Sequence, residues 1–346
     1  QSEALTPANV TSKPSTNRGS ADIPAVRAGS TIMFVQNGGR KVRELAFVFE
    51  KDGFRAPDMT LLSEHITAPG LTGLAYQYHP QEILWTPRSD GVLVGFTYER
   101  DQNVTAWHRH ELGGHSDAAG VLVPIVESVA TMASADGSYA ELWMVVRRWI
   151  NGRVVRYIER LTQVWAKGDA QNEAFFLDCG KRTTLGSAST TVTGLIHLEG
   201  ETVSVLTDGA AHRDVVVANG KITLDQPATK ITVGYAYPSD GQTMPNNAGA
   251  QDGTAQGKTK RIARVGFNLL DTLGFKYGPS SDNLTEILSA EYGDNFGVAP
   301  PLLSGVFRVG FDGDYDRLGQ IFWRCSGPFP ATLLSITPQI DVSDDS

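Results

Sequence analysis

EILWTPRSDGVLVGFTYERDQNVTAWHRHE, residues 82–111, is the stretch whose reading decides the fold. Ile83 to Thr86 form an apolar run that ends at Pro87, and Ser89-Asp90-Gly91 supplies a turn. VLVGFTYE then runs as a second strand, Asp101 to Asn103 turn the chain again, and VTAWHRHE runs back. Turn residues between short apolar, β-branched and aromatic runs specify antiparallel neighbours. With the strand at 71–78, four consecutive antiparallel strands result, which is one propeller-type blade.

The same unit recurs on either side. TIMFVQNGGRKVRELAFVFE occupies residues 31–50 and ELWMVVRRWINGRVVRYIERL residues 141–161. Their anchor positions Met33, Trp85 and Trp143 lie about 52 and 58 residues apart, a spacing expected of repeated blades. Asn37-Gly38-Gly39 and Asn151-Gly152 are the matching hairpin turns. In RVVRYIER the arginines alternate with apolar residues, so one face is charged and the other faces a core. A repeat of this kind points to an assembly scaffold more than to an enzyme.

The expected fold is therefore mainly β: a β-propeller-like platform with an additional small β-barrel or β-sandwich domain. Residues 1–30 read as an extended strap and 31–180 as propeller-like blades. Residues 190–237 form the small barrel or sandwich, its strands separated by Glu199-Gly200, Asp208-Gly209 and Asn219-Gly220. Residues 238–258 form a polar, Gly/Asn-rich loop, and 259–346 a β segment that completes the platform. One or two helical turns are expected within 58–65 and one turn at 285–289. The pattern breaks between 175 and 184.

The bulk numbers narrow the function. The chain has 346 residues, a net charge of -8 and 20% charged residues, so it has no general attraction for phosphate backbones. An acidic wall still lets nucleic acid pass without gripping it. The two cysteines, Cys179 and Cys325, build no disulfide framework. No run approaches the roughly 20 apolar residues that span a bilayer, and no secretion signal is evident.

Candidate chemistry is sparse. His108 and His110 share a strand face and could ligate one metal, with Glu111 or His115 as a third ligand, but the spacing matches no standard zinc pattern. The simpler expectation has one histidine bonded to backbone while Trp107 fills the core. Asp312-Gly313-Asp314-Tyr315-Asp316 lacks the full calcium-loop spacing and reads as a solvated turn, and Asp341 to Asp345 as a charged tail. No GxSxG nucleophile context or phosphate-binding loop occurs, so neither a catalytic residue nor a cofactor nor a metal is expected. The main basic concentration is Arg147, Arg148, Arg153, Arg156 and Arg160, beside Trp143, Trp149, Tyr157 and Trp165. Arginine and aromatic residues favour a wet, ion-paired interface. Arg147, Arg148, Arg153, Arg156 and Trp149 are the expected interface residues.

Three long strings, residues 34–66, 83–110 and 141–161, resemble the C-terminal half of the tail tubular protein B or nozzle family of short-tailed phages and prophages. The similarity continues from Lys260 through GVFRVGFDGDYDRLGQIFWRCSGPFPATLLSITPQIDV. The resemblance implies a structural virion component with no enzymatic activity: a homo-oligomeric ring, six-fold in the family, below the portal and adaptor. Its channel would conduct DNA during ejection without reading sequence, and tail fibre proteins would be further partners. The implied location is the virion tail, and the host cytoplasm during assembly. It also implies that sequence upstream of Gln1 is missing. The alternative reading is a carbohydrate-binding or carbohydrate-active β-propeller protein, which needs two facing carboxylates in a groove.

Overall fold

The computed structural model describes residues 6, 16–247, 249–250, 253–289 and 298–343. The protein is mainly β, with 55% of residues in strands and 5% in helices. It divides into two compact units, one of residues 1–149 and 154–162, the other of 150–153 and 163–346.

The first unit holds three antiparallel sheets laid down one after another. β1 (Val26–Ala28), β2 (Thr31–Val35), β3 (Val42–Val48) and β4 (Gly53–Arg55) form sheet 1 in chain order. A single turn of helix, α1 (Glu64–Thr67), precedes sheet 2, which is β5 (Ala75–Gln77), β6 (Ile83–Pro87), β7 (Leu93–Glu99) and β8 (Val104–His110). Sheet 3 is a three-stranded meander of β9 (Ile125–Ala133), β10 (Ala140–Ile150) and β11 (Arg153–Arg160). The turns repeat as well. In both four-stranded sheets a 3₁₀ turn joins the last two strands, Phe49–Lys51 and Arg100–Gln102. Each ends on a left-handed residue, Asp52 at φ 44° and Asn103 at φ 55°, a conformation that Asp and Asn tolerate.

Side-chain alternation explains how the sheets stack. Successive residues of a strand point to opposite faces. On β6, Leu84 joins Met33, Val35, Val42, Phe96 and Tyr98 in a core between sheets 1 and 2. Its neighbours Ile83 and Trp85 point the other way, into a second core with Val126, Leu142, Met144 and Val146 of sheet 3. Sheet 2 is thus apolar on both faces, and every residue of β6 is buried. Polar links reinforce the second junction. Trp85 Nε1 donates to Gln77 Oε1 at 2.8 Å, and Gln77 Nε2 donates to the Ala140 carbonyl at 2.9 Å. Among the described residues, no strand pairing closes the three sheets into a circle.

Local details correct several expectations. The strap does not extend to residue 30, because Val26–Ala28 pairs with β2; residues 1–5 and 7–15 lie outside the described residues. Helix α1 lies at Glu64–Thr67 rather than across 58–65. The Asp58 carboxylate instead accepts the Thr60 N–H and hydroxyl, a local turn that competes with helix.

The second unit begins with a sheet ordered β12-β15-β13-β14: β12 (Asp178–Thr193), β13 (Thr202–Thr207), β14 (Ala210–Val216) and β15 (Lys221–Tyr235). Val203, Val205, Ile222, Leu224, Ile231 and Val233 are buried there. The region expected to break pattern is strand from Asp178 onward, its pairing with β15 interrupted by register shifts. Among the described residues this is one open four-stranded sheet, with no barrel closure.

The remaining strands are β16 (Ser239–Gln242), β17 (Gly249–Ala250), β18 (Gly253–Thr254), β19 (Thr259–Thr272), β20 (Phe275–Ser280), β21 (Asn283–Glu286), β22 (Leu303–Gly310), β23 (Phe322–Cys325) and β24 (Thr332–Ser343). β16-β23-β20-β21 and β22-β19-β24 are two sheets that share a core of Val265, Phe267, Leu269, Phe275, Tyr277 and Ile321. The polar 238–258 segment is partly strand, since Ser239–Gln242 pairs with β23. The helical turn expected at 285–289 is not formed: Thr285 and Glu286 belong to β21, which pairs with β20. Of the expected charged tail at 341–345, residues 341–343 belong to β24, and 344–346 lie outside the described residues.

Candidate interaction surface on the three-stranded sheet

β10 reads ELWMVVRRWI from Glu141, and its alternation sorts the arginines. Leu142, Met144, Val146, Arg148 and Ile150 are buried, whereas Trp143, Val145, Arg147 and Trp149 are half-buried on the opposite face. Arg148 is 0% exposed. Its guanidinium bonds both oxygens of Glu159, at 2.6 and 2.8 Å, and donates to the Gly113 carbonyl at 2.5 Å. A planar fork matched to a carboxylate is the geometry in which a buried charge is tolerated. The expectation that Arg148 faces a partner is corrected: its neighbours inside the unit satisfy it.

The other expected interface residues sit elsewhere. Arg153 is exposed at the β10–β11 turn. Arg156 is exposed and bonds Glu127 of β9 at 2.8 and 3.0 Å. This pair, with Arg147 adding to it, holds the Glu127 carboxyl below its ordinary range. Arg147 is half-buried, and its Nε atom has no hydrogen-bond partner among the described residues. Trp149 is half-buried, its backbone N–H bonded to the His115 carbonyl at 2.9 Å.

Arg160 belongs in the exposed set in Arg148's place. It bonds Glu141 at 2.5 Å and lies over the Trp143 ring at 5.9 Å. Glu141 is buried and also accepts from Trp143 Nε1 and the Tyr139 hydroxyl, at 3.1 and 3.2 Å. Between Arg156 and Arg160, at the same period of two, stands Ile158, 73% exposed. That period was the signal available in the sequence for grouping Arg156, Ile158 and Arg160. The surface is an aromatic and aliphatic strip flanked by ion pairs, suited to binding a flat partner surface.

The histidine pair lies on sheet 2. His108 Nδ1 and His110 Nε2 are 2.7 Å apart, and His108 Nε2 is 3.2 Å from Thr97 Oγ1. The histidines bond each other rather than backbone. Trp85 packs against both rings, 5.7 and 5.1 Å between centroids. Burial pushes the His110 imidazole down to about 4, helped by His108, and burial lowers His108 too. Among the described residues no group of three His, Cys, Asp or Glu side chains is placed to hold a metal. Trp107 stacks on Phe96 at 4.6 Å and donates from Nε1 to the Met59 carbonyl at 2.8 Å. Asp312 and Asp314 are exposed, while Asp316 accepts the Leu318 and Gly319 N–H groups at 2.6 and 2.8 Å.

No protein-family profile matches the chain, and no curated protein matches it.

Proposed function

We propose that this chain is a structural component of a phage or prophage tail, of the tubular or nozzle type, and forms part of an oligomeric DNA conduit. The observation that supports this reading is the succession of three meanders stacked face to face. The string at 34–66 covers most of sheet 1, that at 83–110 most of sheet 2, and that at 141–161 two of the three strands of sheet 3. On this reading the meanders are propeller-like blades that give a rigid platform, and the Trp143 and Ile158 face of sheet 3 meets a neighbour in the assembly. DNA passes without sequence-specific contact, as the acidic balance of the chain suits. The ring is homo-oligomeric, six-fold by the family resemblance, with portal, adaptor and tail fibre proteins as its neighbours.

Immunogold labelling of particles shed by producing cells tests the reading. Label at the tail is expected, and a chain found only outside particles would overturn it.

A further inference from the structure

The Asn151-Gly152 turn fixes the register of β10 on β11. Both residues adopt positive φ, 50° and 74°, as a two-residue hairpin turn requires, so Ile150 stands opposite Arg153. At the far end Leu161 donates its N–H to the Leu142 carbonyl at 2.9 Å, and Arg160 lies over Trp143 at 5.9 Å. Both ends give one register. The outward face therefore carries the opposed pairs Trp149 and Val154, Arg147 and Arg156, Val145 and Ile158, and Trp143 and Arg160.

Bonded and non-bonded pairs alternate along an antiparallel hairpin. Ile150–Arg153 and Leu142–Leu161 are bonded pairs, so the backbone groups of Val155 and Glu159 turn towards β10. Those of Val154, Arg156, Ile158 and Arg160 turn the other way. No strand pairs with β11 on that side among the described residues. Such an edge is a template for a further strand.

Charge selects what fits there. Arg147 and Arg156 are like charges directly opposite each other. One carboxylate serves both: Glu127 bonds Arg156 at 2.8 and 3.0 Å and also feels the charge of Arg147. Glu127 reaches this face as the extra residue of a bulge, since Ser128 pairs with Val145 and Val126 with Val146. Two guanidinium groups against one carboxylate leave a positive excess on a chain whose net charge is -8. A second copy of β11 does not match this edge. None of its outward residues is acidic, so pairing two copies sets arginine beside arginine or beside apolar side chains.

We infer that the free edge of β11 takes an extended acidic segment of a partner polypeptide, added as a fourth strand alongside residues 154–160. Its carboxylates alternate with apolar residues. The carboxylates meet Arg156, Arg160 and the Arg147 guanidinium, and the apolar residues lie beside Val155. Main-chain bonds supply affinity and the alternate side chains specificity, the usual division in strand addition. The inference rests on the assembly reading above, since it names what a neighbour offers to sheet 3.

Titration of the isotope-labelled full chain with the acetylated, amidated peptide Val-Glu-Val-Glu-Val-Glu-Val tests it, read by amide chemical shifts. Saturable shifts are expected at Val154, Arg156, Ile158 and Arg160. Binding should weaken about tenfold in Arg156→Gln, and by at least as much for the same peptide with Lys in place of Glu. Ile158→Pro separates strand addition from plain charge attraction. Its N–H points outwards, so proline there spares the bonds to β10 yet removes a donor and obstructs the added strand. Loss of binding is expected in this variant, with circular dichroism and the melting temperature verifying its fold; Val154→Pro substitutes if it unfolds. Absence of saturable shifts overturns the proposal, as does equal binding of the Lys peptide or a folded proline variant that binds like wild type. Tail labelling of particles without peptide binding would overturn the edge and leave the tail reading standing. Peptide binding without tail labelling would do the reverse.

Discussion

The His108 ring crowds Gly95 on the neighbouring strand: a Cβ at position 95 would stand 2.1 Å from the imidazole Cε1. The two residues are cross-strand partners on β7 and β8, and Gly95 is buried, so the strand glycine makes room for a ring. Gly95→Ala therefore must displace a ring that His110 and Thr97 hold in place. The expected loss is about 1–3 kcal/mol, the usual scale for overpacking. The paired variant Gly95→Ala with His108→Ala should recover part of it. Urea midpoints of the wild type and the two variants measure this, and a neutral Gly95→Ala would show that the ring moves freely.

The same histidines make the first unit sensitive to acid. The folded state holds His110 near 4, below its ordinary value of 6.5, so the unfolded chain takes up the proton first as pH falls. Stability contributed by the neutral ring is complete above about pH 7 and declines from about 6.5 towards 4. His108 shifts the same way. The decline attributable to His110 is about 3 kcal/mol. His110→Gln should flatten the dependence of the urea midpoint on pH across that window, and an unchanged slope would remove His110 as its cause.

Arg148 and Glu159 form a buried pair whose partners are unequal in what their loss exposes. Glu159→Gln leaves a guanidinium without its counter-charge in a site with no exposure, and a loss of about 3–5 kcal/mol is expected. Replacing both, Arg148→Met with Glu159→Leu, should restore most of that stability, since an apolar pair of similar size fills the site without desolvating charge. Thermal or urea unfolding of the single and double variants decides between them. A double variant no better than the single would show that the Gly113 carbonyl, left without its donor, governs the cost.

The hairpins were legible because their chemistry is local. Gly38, Gly39, Gly91, Gly137 and Gly152 all adopt positive φ, as the turn residues around them require. The alternation of β10 and β11 was likewise visible. Which of the arginines lies inside was not, because Arg147 and Arg148 are adjacent and chemically identical. The Gly113 carbonyl, 35 residues away, and Glu159 across the hairpin help to select Arg148. The long strand β12 escaped notice for a different reason. Its Lys, Thr, Ser and Gly residues and its register shifts break the period of two, and its partner β15 supplies the regular pattern. The weak helical signal at 285–289 is overridden where Thr285 and Glu286 pair with β20.

The position of β6 has a consequence for how the first unit breathes. Its strand has hydrogen-bonded neighbours on both edges, β5 and β7, and a sealed core on each face. Fraying of the outer strands leaves it covered, so its amides reach solvent only when all three sheets come apart. Backbone deuterium uptake at Leu84, Trp85 and Thr86 should then be the slowest in the unit and track its global unfolding free energy, whereas β1 and β4 exchange early. A strand with no solvent-facing position is the last to open, and sets the lifetime of the stack around it.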